Sequence, residues 1–263
     1  METAAEAHPF LLIHEYIQFL VKCPTSTYLR VGIATYAGLR RHQKALKVTQ
    51  VCSATAMVYF HKFYFENSSA AGEHHPSVVI AACTLLACKV ENVMRSVHSI
   101  AKVLFPSDDD LPRRAHQIQR YELLLAQVTD FTFSCPHPYA RLGNFLASLD
   151  DEVAAEDARK RLQSLCGQVL NESYACPIYI VFEKKQTLWI HSILRVAILA
   201  ARDEGVLLDT TRLLDRFSSS QRNFIDIELE AFRCFRLVLQ IAENAPLVRA
   251  VDALLCEESV RSV

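Results

Sequence analysis

Six glycines in 263 residues are too few for the many tight turns of a sheet-rich fold, so the chain is expected to be built from packed helices. Nor is there a charge excess. With 28 Lys and Arg against 29 Asp and Glu, no global field exists to hold a polyanion, and nucleic acid is disfavoured as the main partner. Long apolar runs are missing too: the longest uncharged one, Val78 to Cys88, has 11 residues, well short of the ~20 that span a bilayer, so no membrane partner is expected. The nine cysteines form no CxxC pair and stand in apolar surroundings, which predicts buried thiols rather than disulfides or zinc ligands. No Lys or Arg precedes Lys22 while Glu2 and Glu6 do, contrary to the basic start of a signal peptide. A reduced, intracellular and soluble protein is the expectation.

Catalytic motifs are equally scarce. Gly32 and Gly38 are followed by Leu39 and Arg40, so no GxxxxGK phosphate loop forms, and no GxGxxG occurs. His14 and Glu15 begin an HExxH-like string, but Gln18 takes the place of the second imidazole. His74 and His75 precede Pro76 and read as a loop or helix entry rather than a metal site. No nucleophile is visibly paired with a base, and neither cofactor nor metal is expected.

What the chain does have is helical periodicity over most of its length. Helices are expected near Pro9–Lys22, Ser26–Lys44, Thr49–Asn67, Pro76–Asn92, Val97–Phe105 and Pro112–Thr129. Pro136 and Pro138 then bar any helix from running through FTFSCPHPY. A second set is expected near Tyr139–Leu149, Glu152–Tyr174, Gln186–Asp203, Thr210–Phe217 and Gln221–Gln240. The third helices of the two sets repeat a pattern, with Lys89 and Arg202 at matching positions 113 residues apart. The expected organisation is therefore an N-terminal helix (1–24), two tandem five-helix repeats (25–136 and 137–245) and a C-terminal tail (246–263). Val78 to Cys88 carries only Thr84 as a polar residue, so that helix must be enclosed, and the charged Lys89 and Glu91 at its end must lie at a rim.

Three segments point to a family. TAMVYFHKFY, AACTLLACKVENVMR and RYELLLAQVTDFTFSCPHPY resemble the second, third and fifth helices of the cyclins, particularly the transcriptional subgroup of cyclins K, T, L and C. The close match runs from about Arg30 to Tyr139, and His61 replaces an Asp of cell-cycle cyclins. The resemblance implies an all-α fold of two cyclin-box repeats and a partner, a cyclin-dependent kinase. The first repeat would push the kinase's αC helix inward while catalysing nothing itself. It further implies that Lys89 and Glu122 hydrogen-bond the kinase, that Val90, Phe131 and Phe133 supply apolar contact, and that Glu91, Asn92 and Ala126 share the surface. Asn92 stands where a second Glu is usual, and Ala126 replaces a larger aliphatic residue on the kinase-facing side of the fifth helix. No counterpart of the substrate-docking patch of cell-cycle cyclins is visible in TYLRVGIATY.

Without the family, Lys89 reads as a helix-end cation worth about 0.3–1 kcal/mol and Glu122 as a solvated residue. Two rival readings remain: a IIB-type general transcription factor core that binds promoter DNA, and a cyclin-fold scaffold that binds short peptides. Near-neutral charge and the lack of a preceding zinc ribbon weigh against the first. A nuclear location follows from the family alone, since Arg40, Arg41 and Lys44 make too small a cluster for an import signal. Otherwise the chain is cytoplasmic.

Overall fold

The computed structural model describes residues 25–67, 73–149, 155–183, 186–206, 208–209 and 245–261, with the short pairs 232–233, 235–236 and 239–240. Among these residues there are helices and connectors and no strand. The chain forms two compact units, Met1–Cys135 and Pro136–Val263.

In the first unit the helices are α1 (Thr25–Leu46), α2 (Gln50–Glu66), α3 (Pro76–Val90), α4 (Val97–Leu104) and α5 (Leu111–Val128). Their starts follow local chemistry. The Thr49, Ser96 and Asp110 side chains accept the N–H groups of Cys52, Ser99 and Arg113, and His75 accepts that of Ser77 just ahead of Pro76. Each cap satisfies a donor that the first helical turn leaves unpaired.

The apolar run dictates the centre of this unit. Every residue of α3 from Val78 to Cys88 is buried, enclosed by α1, α2, α4 and α5. Thr84, the lone polar residue of the run, returns its hydroxyl to Ile80 O at 2.7 Å and so costs the core no unpaired donor. Against it lies α2, buried from Cys52 to His61, with Phe60 and Phe63 each in ring contact with Tyr64. At roughly 1.5–3 kcal/mol for each large side chain enclosed, these two helices carry most of the unit's stability.

The second unit contains α6 (Tyr139–Ala147), α7 (Glu156–Ser173), α8 (Ile178–Phe182), α9 (Gln186–Asp203) and α10 (Ala245–Arg261). Its centre is α9, buried at Leu188 to Ile190 and from Ser192 to Ile198, and packed on α7 and α10. An aromatic cluster of Tyr174, Tyr179, Phe182 and Trp189 closes one end. His137 joins it through a 2.6 Å bond between Nδ1 and the Tyr174 hydroxyl, and burial pushes its imidazole down to about 4, so the ring is neutral at physiological pH.

Several sequence expectations change here. The C-terminal tail is helical over Ala245–Arg261, because Leu247, Ala250, Val251 and Leu254 recur at helical spacing and are buried. The short α8 was not foreseen. The expected helices Pro9–Lys22 and Thr210–Phe217 lie outside the described residues, as does most of Gln221–Gln240.

Candidate partner-binding site

Three helix ends in the first unit stop in the same way. After α1, Lys47 N–H bonds Lys44 O and Val48 N–H bonds Gln43 O; after α3, Asn92 bonds Lys89 O and Val93 bonds Cys88 O; after α5, Asp130 bonds Gln127 O and Phe131 bonds Ala126 O. These are Schellman endings, which require a left-handed residue. Lys47, Asn92 and Asp130 supply it at φ of 50°, 55° and 48°. Asn92 therefore has a backbone reason: Asn tolerates this conformation better than Glu does.

Phe131 is unusual even within this set. It follows Asp130 in a second left-handed conformation, φ 57°, yet the residue is 64% exposed. Such backbone costs about 1–3 kcal/mol, and an exposed ring recovers little of that by burial. The ring stands edge-on to Phe133, with centroids 6.4 Å apart, and the Phe133 carbonyl accepts the buried Tyr59 hydroxyl at 2.6 Å. Burial raises that phenol above the ordinary tyrosine range, so it stays a donor.

Each charged residue at these helix ends has a fixed partner. Lys89 Nζ, on α3, lies 2.6 Å from Glu122 Oε1 on α5, with the lysine side chain 59% exposed and the glutamate 16%. Glu91 accepts the hydroxyl of buried Thr55 at 2.7 Å and is held against α2. Arg95 completes the frame: its guanidinium donates to Leu46 O at 2.6 Å and to Lys47 O at 2.8 Å, fastening the end of α1 to the segment after α3. Beneath this frame the Cys52 and Cys88 sulfurs are 3.6 Å apart, and the shared hydrogen bond together with burial raises the Cys52 thiol.

The structure thus joins Lys89 to Glu122 and Phe131 to Phe133, and places half-buried Val90 and Glu91 and exposed Asn92 at the end of α3. Ala126, one helical turn beyond Glu122, is largely buried. Residues the sequence reading missed are apolar and exposed: Met94 at 89%, Leu123 at 61% and Leu124 at 41%. Period alone does not separate an exposed Leu from a core one; the signal was their place beside Glu122 and Arg95. A groove of about 430 Å³ lies along α1, lined by Ala34, Gly38 and His42 of α1 and by Pro76 and Ile80 of α3.

Among the described residues no His, Cys, Asp and Glu cluster fits a metal ion, and no helix is long and apolar enough to cross a membrane. What the rim offers is an oriented ion pair, an exposed apolar set and a strained aromatic. These are the features of a binding surface.

Residues 21–134 match the model of the cyclin N-terminal domain. Cyclin-H of Xenopus laevis is 33% identical over 119 residues, 44% of this chain and 36% of that protein. Cyclin pch1 of Schizosaccharomyces pombe is 30% identical over 149 residues, 51% and 41% of the two chains, and cyclin-C of Rattus norvegicus is 26% identical over 147 residues, 52% and 50%. The chain accordingly spans between about a third and a half of the length of these relatives. A solved structure, the CAK complex of Chaetomium thermophilum bound to ATP-gamma-S, contains a chain of the same fold, with a TM-score of 0.55 at 18% identity over 90% of this chain and 64% of that one.

Proposed function

We propose, starting from a first unit that is a cyclin N-terminal domain with transcription-associated cyclins among its relatives, that this chain is the regulatory subunit of a cyclin-dependent kinase of the transcription-regulating type. The observation that carries the reading is the set of helix ends itself: a Lys89–Glu122 pair, exposed Leu123 next to Glu122 in the chain, and exposed Met94 and Phe131 just past the ends of α3 and α5, with Phe131 held in a conformation its own burial does not repay. In this role Lys89 and Glu122 fix the register of the kinase helix by charge-assisted bonds. Val90, Glu91, Asn92, Leu123, Phe131 and Phe133 supply the contact area that water leaves. The kinase performs the phosphoryl transfer, and the chain acts on it by shifting its αC helix toward the active arrangement, in the nucleus.

The test is kinase stimulation. Purified chain added to a panel of cyclin-dependent kinases is expected to bind one of them and raise its phosphorylation of a polymerase-tail peptide. A chain that leaves every kinase of the panel unbound and unstimulated overturns the reading.

A further inference from the structure

The exposed face of α5 changes character along its length. Arg113, His116, Gln117 and Arg120 fall at i, i+3, i+4 and i+7, on a single stripe of the helix, and line a groove of about 410 Å³. Glu122 is nine residues from Arg113 and, at 3.6 residues per turn, points to the opposite side. The groove is thus separate from the rim described above.

Its hydrogen-bonding capacity is one-sided. Asp108 lies at the mouth, but one of its oxygens accepts Arg114 Nε at 2.7 Å and the other accepts the Asp110 N–H at 3.1 Å. Asp110 is engaged as the helix cap, accepting Arg113 N–H at 3.0 Å. The Gln117 carbonyl oxygen accepts Arg114 Nη1 at 2.8 Å, which leaves its amide nitrogen with two donors for the groove. Arg114 itself is settled over the Phe105 ring, 4.6 Å from the centroid. Arg113 and Arg120 are exposed, Arg113 within electrostatic reach of the Asp108 carboxylate and Arg120 one turn beyond His116.

We infer that this groove binds a phosphorylated peptide segment, with the phosphate between Arg113 and Arg120 and over Gln117 and His116. Three arginines against the two carboxylates of Asp108 and Asp110 leave the lining with an excess of one positive charge, which draws an anionic group such as the phosphate of a phosphoserine or phosphothreonine. A lining made of donors suits three acceptor oxygens, and the planar forks of two arginines fit a phosphate better than they fit one carboxylate. Arg113 and Arg120 are two turns apart, about 10.5 Å along the axis, a span that flexible side chains close around one group. A free anion of this size would occupy a small part of the groove. The remaining length takes the flanking peptide.

Fluorescence anisotropy of the full chain tests this with a labelled peptide pool carrying one fixed phosphoserine among randomised neighbours, beside matched pools with Ser or Glu at that position. The phosphoserine pool should bind more tightly than the Ser pool by on the order of tenfold for each guanidinium engaged. Arg113→Gln with Arg120→Gln should abolish the difference while leaving the melting temperature and kinase capture unchanged, so the inference stands or falls apart from the kinase reading. Equal binding of the three pools overturns it, as does a Glu pool bound as tightly as the phosphoserine pool, which would make the ligand merely acidic. Tighter binding of a fluorescent oligouridylate than of the phosphoserine pool reassigns the face to RNA and overturns it as well.

Discussion

Helices α3 and α9 of the two units end at matching places and are finished differently. The 113-residue offset that aligns Lys89 with Arg202 also sets Asn92 against Gly205, and both occupy the left-handed position of a Schellman ending, at φ 55° and 77°. In the second unit that ending is closed by its own neighbours. Glu204 takes Arg161 in a two-pronged ion pair, with Nε at 2.6 Å, and Asp203 accepts Arg249 Nε at 3.4 Å. Glycine supplies the turn without strain. In the first unit the same ending leaves Met94 exposed nearby, and the neighbouring α5 ending spends strain on Asp130 and Phe131 while presenting an aromatic ring to solvent. All the exposed large hydrophobic side chains among the described residues belong to the first unit. One helical pattern thus carries a satisfied end and an open one, and the open end is the one proposed to meet the kinase.

The largest effect that would sharpen this contrast lies in the apolar set. Leu123→Asp should weaken kinase capture by ~30-fold or more, the scale of a hot-spot residue, with circular dichroism unchanged. Phe131→Gly should also weaken capture, yet raise unfolding stability by about 0.5–1 kcal/mol, since glycine accepts the left-handed backbone freely. Opposite signs in urea melts and capture assays would show strain kept for binding. A loss of both would make Phe131 a core residue and erase the contrast.

Lys89 and Glu122 give the next effect. Lys89→Ala leaves the largely buried Glu122 carboxylate without its partner, so the single variant should melt earlier than the Lys89→Ala, Glu122→Ala double variant. The double variant should lose ~2–5 kcal/mol of kinase affinity by titration calorimetry, while its own stability changes by less than about 1 kcal/mol. Normal capture by the double variant assigns the pair to the fold alone.

The smallest effect is at the closed end. The Arg161 guanidinium holds the Glu204 carboxyl below its usual range, and this depressed value means that its stabilisation is present above the ordinary carboxylate pKa of ~4.3 and is lost as pH falls through the lower folded value. The pair is solvent-screened and worth less than about 1 kcal/mol. Arg161→Ala should flatten the acid limb of the stability curve in a pH series of denaturant melts without touching kinase capture. A variant that loses capture would place this end at an interface after all.

How much of this was readable beforehand follows the same physics. The enclosure of α3 was legible because Val78 to Cys88 offers no polar face, and Lys89 at its rim followed at once. The partner of Lys89 was not, since Glu122 lies 33 residues away and nothing local points one at the other. The burial of Ala126 was not legible either, because which side of α5 packs inward is decided by packing. The final helix announced itself through Pro246 and the spacing of Leu247, Ala250, Val251 and Leu254, signals present but passed over.

The Cys52 and Cys88 thiols, sealed between α2 and α3 under the rim, give the chain a built-in clock. A thiol reagent can reach them only when those two helices part, so the speed of their alkylation times the opening of the first unit, and a bound kinase that clamps the helix ends should slow it.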